Sequence, residues 1–395
     1  MVSPFLKAGF AALLMIAVPS TGLATSKPPY TIAPDLFDMT RPGHLGLELA
    51  PGTETFTIFA PDETSDKFHN GVVLIPFKGR LYAQWQASAC DEDSADTWVA
   101  YSHSDDGARW SPPATLAPRG SRPGEMRSNG GWWTDGKVLI AFTNVWPTGF
   151  QSGDGGHAEY QVSSDGTHWS PPSRVMGRDG QPVEGIIEQD PHALPDGRII
   201  TAFHRRPGLI ATPFYTDHPL GIAGWVAGQM ENLPQDAKAE KNVSRELEPS
   251  LFLRPDGCAV MVFRDQASSF KQLAAESCDR GESWTRPVLT EMPDSRSKQS
   301  AGNLPDGTAY LVNAPSQDRV RMPLAVTLSP DGRHFTKAYR LRGVDDLQPL
   351  RFAGQYKRPG YHYPKSTLWQ GYLYVGYTTN KEDVQVTRIP LSSLQ

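Results

Sequence analysis

Alternating apolar and polar positions recur along the chain in paired runs. "RLYAQWQAS" (from Arg80), "VLIAFTNVW" (Val138), "RIITAFHR" (Arg198), "AVMVFRDQ" (Ala259), "AYLVNAPS" (Ala309) and "YLYVGYTTN" (Tyr372) are rich in β-branched and aromatic residues. Such runs predict strands rather than helices. A more polar run precedes each: "HNGVVLIP" (His69), "RSNGGWW" (Arg127), "EQDPHAL" (Glu188), "LEPSLFL" (Leu247), "KQSAGNL" (Lys298) and "GYHYPKSTL" (Gly360). A tight turn such as "PDG" or "KG" joins the members of most pairs, so each pair predicts an antiparallel hairpin.

A second pattern follows the hairpins. "SDDGARW" (Ser104–Trp110), "SSDGTHW" (Ser163–Trp169), "SCDRGESW" (Ser277–Trp284) and "SPDGRHF" (Ser329–Phe335) share Ser, Asp, Gly and an aromatic residue, and "TDHPLGIAGW" (Thr216–Trp225) is a worn copy. Asp accepts hydrogen bonds from turn amides, Gly supplies a positive φ, and the aromatic ring folds back between strands. This is a structural staple. The turn carboxylates Asp106, Asp165, Asp279 and Asp331 are spaced by 59, 114 and 52 residues, and the worn copy falls inside the double interval. A unit of this length lies in the range of propeller blades. The expected fold is all-β, a six-bladed propeller of four-stranded antiparallel blades. Seven blades remain open if Tyr30–Thr53 contains a partial one. The last unit lacks a fourth strand, and "ETFTIFAP" (Glu54–Pro61) is expected to supply it beside Val384–Pro390, closing the ring and removing its exposed edges.

Composition narrows the picture. The apolar run Ala8–Val18 after Lys7, with Gly22 and Ala24 beyond it, reads as a signal peptide over residues 1–24. A single secreted or periplasmic domain over 25–395 is then expected, monomeric and without a cofactor. Net charge is −5, which argues against nucleic acid or an anionic membrane as partner. Neither HExxH nor CxxC occurs, and the ten His residues show no tight ligand spacing. Three Cys make no disulfide framework. Cys258 and Cys278 nevertheless flank "QASSFK" symmetrically, so a hairpin centred there sets them opposite one another and predicts a bridge, leaving Cys90 free.

In a propeller the first strand of each blade lines the channel, so polar residues there are candidates for chemistry. At this point the chain resembles the sialidase (neuraminidase) superfamily of six-bladed propellers with Asp-box turns. "RELEPSLFLRPDGCAVMVFRDQ" offers Glu248 and Arg264 in that family's Glu–hairpin–Arg arrangement, and "RMPLAVTLS" offers Arg321 before Ser329. "PGYHYP" offers Tyr361 as nucleophile, with Tyr363 as rival, and "CDEDSAD" offers Asp91, Asp93 or Asp96 as acid. The family's first Arg is absent, and His69 and Asn70 stand in its place. Related propellers that cleave rhamnose–glucuronate linkages use a channel His, which His69 resembles.

The resemblance implies an exo-glycosidase acting on an acidic oligosaccharide or polysaccharide. Arg264 and Arg321 would hold a carboxylate, with Asn70, Arg127 and Tyr363 as further binding residues. Tyr361 would attack as Glu248 takes its proton, and Asp93 would protonate the leaving oxygen. Two alternatives remain: a uronate lyase or rhamnosidase using His69 or Tyr361 as base, and a carbohydrate-binding propeller without catalysis. His192 and His204 are expected to be hydrogen-bonded strand residues.

Overall fold

Six antiparallel sheets stand around a ring in a computed structural model that describes Met1 and residues 27–188, 191–234 and 242–395. Apart from Met1, the expected signal peptide lies outside the described residues. From the channel outward, blade I runs Phe68–Phe77, Arg80–Ser88, Trp98–Ser104 and Ala114–Ala117. Blade II is Met126–Thr134, Leu139–Trp146, His157–Ser163 and Ser173–Arg174. In blade III the inner strand comes in two pieces, Gly185–Ile187 and His192–Ala193, both paired with Ile199–Arg205 and followed by Ile210–Thr216 and Val226–Ala227. Blade IV is Glu246–Leu253, Ala259–Asp265, Lys271–Ser277 and Val288–Pro293, and blade V is Ser300–Asn303, Ala309–Asn313, Leu324–Ser329 and Lys337–Arg342. Blade VI takes Tyr361–Trp369, Tyr372–Thr379 and Asp383–Pro390 from the end of the chain. Its outer strand is Glu54–Phe59, which pairs antiparallel with Asp383–Pro390 through Thr55↔Thr387 and Phe56↔Val386. The predicted closure is present.

No seventh blade forms among the described residues. Thr31–Ile32 instead pairs in parallel with His334–Phe335. Tyr30 plugs the seam between blades IV and V, with its ring edge-on to Phe252 and Phe335 and its hydroxyl donating to Gln272 Oε1 at 2.8 Å.

Neighbouring blades pack face to face, and the core lies between them. Val72, Leu74 and Trp85 of blade I meet Tyr374, Val384 and Val386 of blade VI. Each such side chain contributes roughly 1.5–3 kcal/mol on burial. Near the axis the inner strands of neighbouring blades converge without forming a ladder with one another, and polar side chains bridge the blades. Gln84 Nε2 donates to Gly131 O (2.6 Å), Asn144 Nδ2 to Ile187 O (3.2 Å) and Gln299 Nε2 to Glu248 O (2.9 Å). Ser300 and Ser366 join blades V and VI through their hydroxyls at 2.8 Å.

The Asp turns do what their residue types predict. Asp106 Oδ1 accepts from the amides of Ala108 and Arg109 at 2.9 and 2.8 Å, and Ser104 Oγ accepts from Gly107 N–H at 2.8 Å. They also join blades. A Cβ on Gly107 would lie 2.4 Å from the Tyr374 hydroxyl of blade VI, and one on Gly166 2.1 Å from that of Tyr82 in blade I. In the worn copy Thr216 replaces the Ser, and Trp225 Nε1 still donates to Gly221 O at 2.7 Å. Asp217 has been diverted to an ion pair with Arg198 at 2.7 Å.

Cys258 and Cys278 form a disulfide and Cys90 is free and exposed. Breaking the bridge is expected to lower the unfolding free energy by about 3 kcal/mol, the chain-entropy value for a loop of this size. Urea unfolding with and without reductant measures this. Denatured, unreduced protein should titrate as one thiol, Cys90.

Candidate functional site

Four inner strands slip register near their starts: between Asn70 and Val73, Asn129 and Gly131, Leu247 and Ser250, and His362 and Lys365. Each slip contains one left-handed residue, at Gly71 (φ 67°), Gly131 (94°), Glu248 (53°) and Tyr363 (52°). Bulges of this kind re-aim a side chain. Glycine adopts the conformation freely, whereas Glu and Tyr pay on the order of 1–3 kcal/mol each. The strain therefore falls on two residues that the sequence already singles out, and both point into one cleft of about 400 Å³.

Arg264 is the hub of that cleft. Its Nη1 donates to Glu248 Oε2 at 3.0 Å and to the Tyr363 hydroxyl at 3.3 Å, and its Nη2 donates to Gln266 Oε1 at 2.8 Å. Arg321 lays its guanidinium 4.8 Å from the centre of the Tyr363 ring, with Lys381 and Lys298 at 5.4 and 5.5 Å. Burial pushes the Tyr363 phenol up, as do Glu248 and Glu92, against the pull of Arg264 and Arg321. Burial also pushes Glu248 up, but Arg264 and Lys298 outweigh it and hold the carboxyl below its usual value. A phenol held protonated beside a held carboxylate is a proton donor–acceptor couple.

A second buried group braces the first. Glu188 pairs with Lys298 at 3.0 Å and with His204 Nδ1 at 3.1 Å. His204 Nε2 accepts from the Glu248 amide at 3.2 Å, so the ring is neutral with its proton on Nδ1, towards Glu188. His204 thus fixes the strained backbone at Glu248.

The structure brings Asn70, Asp93, Glu248, Arg264, Arg321 and Tyr363 together on the cleft wall. Within the acidic loop Asp93 alone of the three candidates faces the cleft, accepting from Gln151 Nε2 at 2.9 Å. Asp96 caps the Ala89 amide at 2.9 Å and Asp91 accepts from the Gln355 amide. Three candidates lie elsewhere. Tyr361 is fully buried between blades, its hydroxyl donating to Gly343 O at 2.8 Å. His69 is 2% exposed, with Nδ1 accepting from Trp85 Nε1 at 3.1 Å and Nε2 bonded to Asp66 O at 3.1 Å. Burial pushes its pKa down to about 4. Arg127 is held by Glu125 at 2.6 Å and Glu159 at 3.2 Å. Tyr361 and His69 both stand on the regular ladder ahead of a bulge and face the blade seams, whereas Tyr363 lies within its bulge and Asn70 is the last paired residue before Gly71.

Sequence reading missed Glu92, Glu188, Arg296, Lys298, Arg319, Arg358 and Lys381, all of which line the cleft. Most sit in loops leading into or out of inner strands. Glu188 and Lys298 open two of the polar runs quoted above, and that position was the available signal. Among the described residues no group of three or more His, Cys, Asp or Glu is placed to hold a metal.

Residues 79–375 match the BNR repeat-like domain, and the chain belongs to that family. Among solved structures it is similar to a sialidase at 20% identity and TM-score 0.58, covering 92% of this chain and 35% of that one. A Hadza microbial sialidase matches at 14% identity and TM-score 0.66, over 86% of this chain and 69% of its own. The intramolecular trans-sialidase from Ruminococcus gnavus, in complex with oseltamivir carboxylate, matches at 14% and 0.62, over 89% and 99%. At these identities the likeness is one of fold, a sialidase-like propeller. No curated protein matches the chain.

Removing Arg264 takes the shared donor from Glu248, Tyr363 and Gln266 in a largely buried site that opens on the cleft. Arg264→Ala is expected to cost about 2–3 kcal/mol, somewhat under the usual loss for a fully buried pair, because cleft water reaches Glu248. Glu248→Gln in the same background should recover part of it. Chemical unfolding of the single and double variants tests this.

Proposed function

We propose that the protein is a glycosidase of sialidase type that acts on a carboxylate-bearing sugar. One observation carries the reading: Glu248 and Tyr363, each on a strained bulge, share the same Arg264 nitrogen. In this reading Arg264 and Arg321 grip the substrate carboxylate through planar forks that Lys cannot imitate. Tyr363, not Tyr361, is the nucleophile. Its oxygen bonds to the anomeric carbon as Glu248 takes the phenolic proton, and a neutral attacker avoids the repulsion that a carboxylate nucleophile would meet from an acidic sugar. Asp93 gives a proton to the glycosidic oxygen as the bond to the leaving group breaks. Water then attacks the tyrosyl–sugar bond, losing its proton to Asp93, while Glu248 returns the proton to Tyr363. Proton abstraction by His69 finds no support, since both ring nitrogens are engaged behind the cleft wall.

The test is turnover of umbelliferyl glycosides of N-acetylneuraminate and of glucuronate. Tyr363→Phe should lower kcat by about 10³-fold, while Tyr361→Phe should stay within about twofold because its hydroxyl is engaged by Gly343 O away from the cleft. Arg264→Lys should lose nearly as much as Arg264→Ala, the fork rather than the charge being needed. Wild-type rates in Tyr363→Phe would end this assignment. Binding of the sugars without turnover would instead favour a lectin-like propeller.

A further inference from the structure

Seven Arg and Lys side chains line the cleft against four carboxylates, although the whole chain carries a net charge of −5. Four of the seven are spoken for. Arg264 pairs with Glu248, Lys298 with Glu188 and Lys381 with Glu92, while Arg321 donates to His362 Nδ1 at 2.8 Å. Arg296, Arg319 and Arg358 form no ion pair among the described residues, and they are more cation than one carboxylate needs.

Their placement is built into the backbone. Arg321 bridges in parallel to Gly360, and the Tyr361 amide donates to Arg321 O at 2.8 Å. The two segments thus run side by side, and two residues back along each lie Arg319 and Arg358. His362 clamps the pair of segments, with Nε2 bonded to Arg358 O at 2.9 Å and Nδ1 accepting from Arg321. Arg296 belongs to the turn before blade V, held left-handed (φ 55°) over a bond from the Ser297 amide to Asp294 Oδ2 at 3.1 Å. Burial, and then Arg264 and Arg319, bring the Arg296 guanidinium down to about 10, and burial with Arg321 and Arg319 lowers Arg358. Arg319 thus bears on both Arg296 and Arg358, which places the three guanidiniums around one part of the cleft, with Glu248 and Glu92 pulling against it more weakly.

The geometry points to a second anion subsite, formed by Arg296, Arg319 and Arg358 beside the Arg264–Arg321 pair. The cleft would then take a glycan that carries a second anionic group, carboxylate or sulfate, on the sugar adjoining the clamped one. This rests on reading the cleft as an acidic-sugar site. Three unpaired forks offer bidentate bonds to either anion, and the low-dielectric wall strengthens them.

The experiment is calorimetric titration at about 50 mM salt, where surface screening is still weak. The probes are digalacturonate, the same dimer methyl-esterified on one carboxylate, and a glucuronate disaccharide carrying one O-sulfate. The free dimer should bind about tenfold more tightly than the ester, a difference of about 1.4 kcal/mol. Arg319→Ala/Arg358→Ala should erase that preference. The sulfated disaccharide shows whether sulfate serves as well as carboxylate. Equal affinity for dimer and ester in the unaltered protein overturns the subsite, as does a double variant that weakens both ligands alike. If no saccharide binds but inorganic sulfate does, and only with Arg319 and Arg358 present, the subsite stands and the sugar reading falls. If sulfate fails too, the subsite falls with it.

Discussion

Ring closure governs everything else in this molecule. A single blade buries one face at most, and its core is completed only by the next blade, as Trp85 is completed by Tyr374 and Val386. Six blades in a row would leave two bare faces and an unpaired outer edge on blade VI. The strand Glu54–Phe59 pairs with that edge, which ties the beginning of the described chain to its end. Only then do Asn70, Glu248, Arg264, Arg321 and Tyr363 come to one mouth of the channel.

Closure also sets the cost of the site. Inner strands that converge on an axis cannot hydrogen-bond as a ladder, so buried amides and hydroxyls do the bridging, among them Gln84, Asn144, Gln299 and Ser300. Those bonds lock the bulges in place. At Gly71 and Gly131 the bulge is nearly free, but at Glu248 and Tyr363 it stores strain that the Glu188–His204 brace and Arg264 hold against relaxation. Such over-determination holds Glu248 and Tyr363 in their strained conformations.

The blades were readable because period and turn chemistry agree: alternating runs, Gly where φ is positive, Asp where amides need an acceptor. The Cys258–Cys278 bridge followed from hairpin symmetry, and the structure sets Ala259 opposite Ser277, one residue inside it. Half of the site was readable for a different reason. Glu248, Arg264 and Arg321 stand in the Glu–hairpin–Arg and pre-turn Arg arrangements by which the chain resembles the sialidase superfamily. Tyr361 against Tyr363 turned on a one-residue slip that no pattern of apolar residues reveals, because a bulge breaks the very alternation used to assign faces. His69 failed for a simpler reason: it is in register next to Asn70, and strand alternation turns it to the opposite face. The loop cations Arg296, Arg319 and Arg358 have no period to betray them, and only the ring assembles them.

The missing first arginine has a structural counterpart in a neighbouring blade. Asn70 occupies its corner and donates to Glu92 Oε1 at 2.7 Å, and Glu92 in turn pairs with Lys381 from blade VI. The corner therefore keeps a cation, but as an ammonium on a flexible stem. Burial lowers Lys381 to about 8 despite the pull of Glu92. An ammonium gives a point charge, where a guanidinium would give a planar fork. Arg264 and Arg321 are the guanidiniums beside Tyr363, and the side of the cleft at Asn70 carries an amide and an ammonium instead. That division explains why a family resemblance strong in four positions fails at the fifth without emptying the cleft of positive charge.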